Sequence, residues 1–170
     1  MKKIRKIAVE QNFAAISVGK LNELNEYELQ LGPDVKIPGK VFCSTALGTT
    51  GSEFSFQSFA PGTETGFLHS HKSHEELYFF LSGKGEFQVD GTVFPVEEGS
   101  VVRVSPAGKR SVRNNGTTPL LMLCIQYCSN TFSQEDATDG IILKEPVKWK
   151  VSPLSLIHIS EPTRRVVISY

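Results

Sequence analysis

The chain has no apolar run approaching the roughly 20 residues a helix needs to cross a bilayer, so no membrane-spanning helix is expected. Neither sign of charge is in excess: Lys and Arg total 18, and so do Asp and Glu. A balanced charge gives no electrostatic reason to expect nucleic acid or a membrane surface as a partner. The N-terminal stretch MKKIRKIAVEQNFAAI starts basic, but Glu10, Gln11 and Asn12 interrupt what would be the apolar core of a secretory signal. A cytoplasmic location is therefore the expectation. Cysteine is scarce. Cys43, Cys124 and Cys128 are an odd number and suggest no disulfide framework. Cys124 and Cys128 lie four apart in an expected strand, a span of about 13 Å that no disulfide bridges. All three are expected to be free thiols buried as small hydrophobes. Tryptophan occurs once and phenylalanine eleven times, which points to an interior built on Phe rings.

Long helices are missing as well. Residues 1–40 form a polar lead-in in which GKLNELNEYELQLG suits a short helical turn or an extended arm. Pro33 and Pro38 interrupt anything longer. From Val41 onward, short strands alternate with turn signals. Val41–Leu47 reads as a strand. Glu53–Phe59 alternates, with Phe54 and Phe56 on one face, and Phe67–His71 is a short strand. Glu76–Leu81 is a strong strand, and Phe54, Phe56, Tyr78 and Phe80 are expected in the core. Asp90-Gly91 is the dipeptide of a type I′ hairpin. Further strands follow over Ser100–Val104, Ser111–Arg113 and Pro119–Tyr127. Short strands at this spacing argue a sandwich, a jelly roll or a closed barrel. There is no internal repeat. The expected organisation is an N-terminal arm over 1–40, a β-barrel over 41–130 and an extension over 131–153, with a separate tail over 154–170.

That tail stands apart. LSLIHISEPTR within it resembles the in-frame translation of an adapter used in sequencing-library preparation. The resemblance implies that the natural sequence gives way near Pro153, so His158 is set aside as a ligand candidate.

The chemistry-bearing segment is GTETGFLHSHKSHEELYFFLSG, Gly62 to Gly83. His69 and His71 are two apart on an expected strand and so share a face. Glu76 opens the next strand. Two imidazoles and one carboxylate leave positions open for water or substrate, a set that suits Fe, Mn, Ni or Zn. A strand with a polar, solvated face would read the same way.

The segment resembles the first motif of the cupin family: His-x-His, then four residues, Glu76, six residues and Gly83. Gly99, Pro106, Gly108 and Asn115 resemble the second motif. Where that motif carries a histidine, the count places Ser111, leaving three protein ligands rather than four. The resemblance covers about Val41 to Tyr127. It implies an all-β double-stranded β-helix (jelly-roll) barrel, a single cupin domain, with a divalent metal on His69, His71 and Glu76. It also implies a homodimer.

Tyr78, Ser111, Arg113 and Gln126 are the substrate-binding candidates. If Ser111 points inward, so does Arg113, which would meet a carboxylate or phosphate; the other reading is an Arg at the barrel rim paired with an acid. Lys109 and Arg110 are expected on a solvated loop. His74 is expected off the metal face, exposed or paired with Glu75. The functional expectation is a metal-dependent enzyme, of dioxygenase or isomerase type, on a small polar or anionic molecule. The alternative is a non-catalytic barrel that binds or senses a sugar-like or carboxylate ligand.

Overall fold

The computed structural model describes residues 2–149; the adapter-like tail lies outside them. The strands are β1 (Arg5–Val9), β2 (Ala14–Ser17), β3 (Glu28–Leu31), β4 (Val35–Pro38), β5 (Lys40–Phe42), β6 (Ser52–Phe59), β7 (His74–Ser82), β8 (Lys84–Val89), β9 (Thr92–Glu97), β10 (Val101–Val104), β11 (Arg110–Arg113) and β12 (Leu120–Cys128). A 3-10 helix, Leu21–Glu26, and one short α-helix, α1 (Ser44–Leu47), interrupt the N-terminal half. A five-stranded sheet in the order β10-β7-β12-β6-β5 faces a three-stranded sheet in the order β11-β8-β9. Hairpins β1–β2 and β3–β4 are separate two-stranded sheets.

The main core lies between the two larger sheets. Strand alternation fills it: Tyr78 and Phe80 of β7, Phe87 of β8, Val96 of β9, Val112 of β11, and Met122 and Cys124 of β12. The β12–β7 register sets Met122 opposite Phe80, Cys124 opposite Tyr78 and Gln126 opposite Glu76. Phe87 is the hub. Its ring lies 4.8 Å from that of Tyr78 and 6.2 Å from that of Phe80, both edge-on. Burying one such ring contributes about 1.5–3 kcal/mol. The hairpin expected at Asp90-Gly91 forms with both residues at positive φ, 50° and 85°. Gly83 also has φ +84°, and a Cβ there would sit 2.4 Å from the Pro119 carbonyl oxygen. Only glycine allows β7 to turn into β8 against β12 at that point.

Four local expectations change. Val41–Leu47 is not one strand: β5 stops at Phe42 and α1 follows, closed by Gly48 at φ 71°. Phe67–His71 makes only the isolated bridge His69↔Arg110. Phe54 and Phe56 do not join the core of Tyr78 and Phe80. They lie on the reverse of the five-stranded sheet, packed in a second cluster with Leu24, Tyr27, Val41 and Leu121. The period-2 rule put them on one face correctly, but the N-terminal arm covers that outer face and buries it too. Cys43 and Cys124 are buried thiols, whereas Cys128 is exposed; all three are free. Among the described residues no helix is long and apolar enough to cross a membrane.

Candidate metal centre

His69 and His71 are held by backbone bonds outside any long strand. The His69 amide donates to the Arg110 carbonyl at 3.3 Å, and the Arg110 amide returns a bond to the His69 carbonyl at 3.0 Å. The His71 amide donates to the Pro106 carbonyl at 2.8 Å. The connection between β10 and β11 therefore aims both imidazoles at β7, where Glu76 points inward.

The three side chains converge. Their candidate ligand atoms all lie within 4.8 Å of one another. Glu76 Oε2 is 3.3 Å from His71 Nε2 and 3.6 Å from His69 Nε2. Donors bonded to one metal at about 2.0–2.2 Å are spaced by about 2.9–3.6 Å, so these separations suit a shared ion. His71 Nε2 is buried and has no hydrogen-bond partner, which is the state of a donor waiting for one. Burial pushes the His71 pKa down, so the ring is neutral at pH 7 and its lone pair is available. The donor set fits a divalent metal with three protein ligands.

Glu76 is buried, at 6% exposure. Burial pushes its carboxyl up. The His69 ring, the Tyr78 hydroxyl bonded to Oε2, and the charges of Arg110 and of His71, protonated at acid pH, outweigh that and hold it at about 2. Cys124 Sγ lies 3.5 Å from the other oxygen. Burial pushes the Tyr78 hydroxyl and the Cys124 thiol upward, so both are neutral.

The centre sits in the wall of a cavity of about 710 Å³ between the sheets, bordered at one side by the β3–β4 hairpin. Tyr78 and Gln126 line it as expected. Ser111 is half-buried and borders both this cavity and a shallow depression on the outside. Arg113 does not face the cavity. It is exposed and pairs with Glu86 at 2.5 Å. His74 is outside the donor group; its ring nitrogens lie 3.5 Å from Cys128 Sγ and 3.4 Å from Ser73 Oγ. Glu75 pairs instead with Arg103 and Tyr127.

The residue that sequence reasoning missed is Arg110. Far from lying on a solvated loop, it is 0% exposed, and its Nε stands 3.2 Å from Glu76 Oε2. Along β11, Arg110 and Val112 are buried, Ser111 is half-buried and Arg113 is exposed. Asn114 then supplies the buried amide: its Nδ2 donates to the Phe59 and Thr118 carbonyls, both at 2.8 Å, and its Oδ1 accepts from Gly116 N–H at 2.9 Å. The residue turned toward the three donors is Arg110, one before the Ser111 that the motif count picks, and the buried amide is Asn114, one before Asn115. The signal was present, since histidine, three residues and asparagine also fit Arg110 and Asn114. Counting forward from Gly108 hid it.

A two-sheet cup with two histidines and a carboxylate converging in its wall defines a class, and comparison with known proteins agrees. The cupin domain pattern matches residues 55–126. A cupin protein from Bacteroides fragilis is 32% identical, with 69% of this chain and 96% of that chain covered and a TM-score of 0.59. The chain belongs to the cupin family. Among curated proteins, an uncharacterized protein of Methanocaldococcus jannaschii is 35% identical over 69 residues, and an oxalate-binding protein of Thermotoga maritima is 32% identical over 72. These matches take in 41% and 42% of this chain. They span 54% and 59% of those relatives.

Proposed function

We propose that this cupin holds a divalent metal on His69, His71 and Glu76 and acts there as a metal-dependent enzyme, of dioxygenase or isomerase type, on a small polar or anionic molecule. The observation that carries the reading is the convergence of three donors in the wall of a cavity large enough for such a molecule. When bound, the metal would supply Lewis acidity and open positions for a ligand oxygen. The chain's own residues do the rest. The Tyr78 hydroxyl donates to Glu76 and fixes the carboxylate's orientation. The sheets bury Glu76, while His69 and His71 stay partly exposed. Gln126, opposite Glu76 in the register, presents an amide at the cavity wall.

A second reading is a cup that binds its ligand without turning it over. The state of Tyr78 favours it: this hydroxyl faces the cavity but is bonded to Glu76 and held neutral, so it offers no base. Elemental analysis of the full chain tests the metal. Near-stoichiometric Fe, Mn, Ni or Zn in the wild type, lost in His69→Ala and Glu76→Ala, is the expected result. A wild type that takes up no metal on reconstitution removes the enzyme reading. Homodimerisation belongs to the same proposal, and sedimentation as a monomer at micromolar concentration removes it.

A further inference from the structure

The cavity carries more buried positive charge than the metal reading uses. Arg110 is fully buried, and two of its nitrogens, Nε and Nη1, have no hydrogen-bond partner. Nη2 donates to the Ser105 carbonyl at 3.3 Å. Nε is near Glu76 but not aligned to donate to it. Leaving a buried N–H unpaired costs about 1–3 kcal/mol, and more when the group is charged. A ligand that accepts from these nitrogens removes the cost.

Lys40 is the second cation. It begins β5, opposite Gln57 of β6, and that row continues to Met122 of β12. Its Nζ donates to Gln57 Oε1 at 3.3 Å. Among the described residues no carboxylate stands within ion-pair distance of it. Burial pushes its pKa down, as expected for an ammonium group short of a counter-ion. Lys40 and Arg110 line the same cavity. Against these two cations stands one buried carboxylate, Glu76. The other acids that border the cavity, Asp34, Glu53 and Glu64, are exposed or half-buried, and Glu53 already accepts from the Ser44 and Phe54 amides.

We propose that Arg110 and Lys40 form a subsite for a carboxylate group of the ligand, beside the three metal donors, and that this subsite binds whether or not metal is present. The inference rests on the reading of the cavity as a ligand cup and names the ligand's class. Without metal, two cations less one carboxylate leave a single positive charge, which matches a monoanionic carboxylate better than a phosphate dianion. A guanidinium N–H to a carboxylate oxygen is a charge-assisted bond, roughly twice as strong as a neutral one.

The test is calorimetric titration of the full chain, metal-stripped and Mn-loaded, with acetate and inorganic phosphate. Acetate is expected to bind both forms, and Arg110→Gln and Lys40→Met are each expected to weaken it at least tenfold in both. If Arg110→Gln does not fold, Lys40→Met decides alone, because it leaves no unpaired charge in the wall. Acetate that fails to bind the wild type, variants that bind like the wild type, or phosphate bound in preference to acetate each overturn the subsite. Metal content of the same samples is read separately. A wild type that takes up none of Fe, Mn, Ni and Zn sinks the metal reading, while the metal-stripped titrations still decide the subsite.

Discussion

The segments His69–Glu76 and Gly108–Asn114 meet across one cavity but bring it different chemistry. The first presents two neutral-capable imidazoles and a carboxylate, all of which can donate electron pairs. The second presents a guanidinium, which donates only protons, beside the carboxylate of the first. Both segments are held by the same backbone bridge, His69 to Arg110, so the difference is one of side chains and not of architecture.

The largest effect is expected from breaking the charge balance between these walls. Glu76→Ala leaves Arg110 buried without its counter-ion. Chemical denaturation is expected to show a loss of about 3–5 kcal/mol, with metal uptake lost as well. Phe87→Ala, which damages the frame both walls share, is expected to cost a similar 3–5 kcal/mol without changing donor identity. Arg110→His would make the second wall resemble the first. It removes a fixed cation and adds a donor, so chelator competition is expected to show metal affinity raised by about tenfold or more. An unchanged affinity would mean that Arg110 does not oppose the ion.

Acid acts on the same pair more gradually. Glu76 is ordinary in the unfolded chain, near 4.5, and held at about 2 when folded. Its contribution to stability is fully present above the unfolded value and is lost as pH falls through about 2. Melting temperature of the metal-free protein is expected to hold down to about pH 5 and then decline. In Glu76→Gln that part of the decline disappears. The smallest effect concerns the thiols. Cys43, pushed up to about 11 by burial, and Cys124, pushed up likewise, are expected to resist a thiol reagent at pH 8. Exposed Cys128 reacts, giving one labelled thiol per native chain. Labelling of two or three would show that the cavity wall opens.

The strands β6, β7, β10 and β12 and the Asp90-Gly91 turn that joins β8 to β9 were legible in the sequence because alternation and turn chemistry are local properties. Glu76, Tyr78 and Phe80 recur every second residue, and Asp90-Gly91 admits one kind of hairpin. His69, His71 and Glu76 were legible for the same reason: their spacing is short and lies in one stretch. Phe54 and Phe56 were misplaced because two faces of the five-stranded sheet are buried, one by the opposite sheet and one by the arm. Sequence alternation does not say which face meets which cover.

What the sequence by itself determined is an all-β cup of the cupin kind with three candidate metal donors in one segment. What only the tertiary structure decided is the identity of the residue facing them. β11 is four residues long, and a shift of one residue exchanges every inward side chain for an outward one. The bridge from His69 and the buried amide of Asn114 set that register through contacts about 40 or more residues apart in the chain. They turned Arg110 inward and Arg113 outward, because a buried asparagine with three hydrogen bonds and a guanidinium beside a carboxylate outweigh any preference carried by four residues alone.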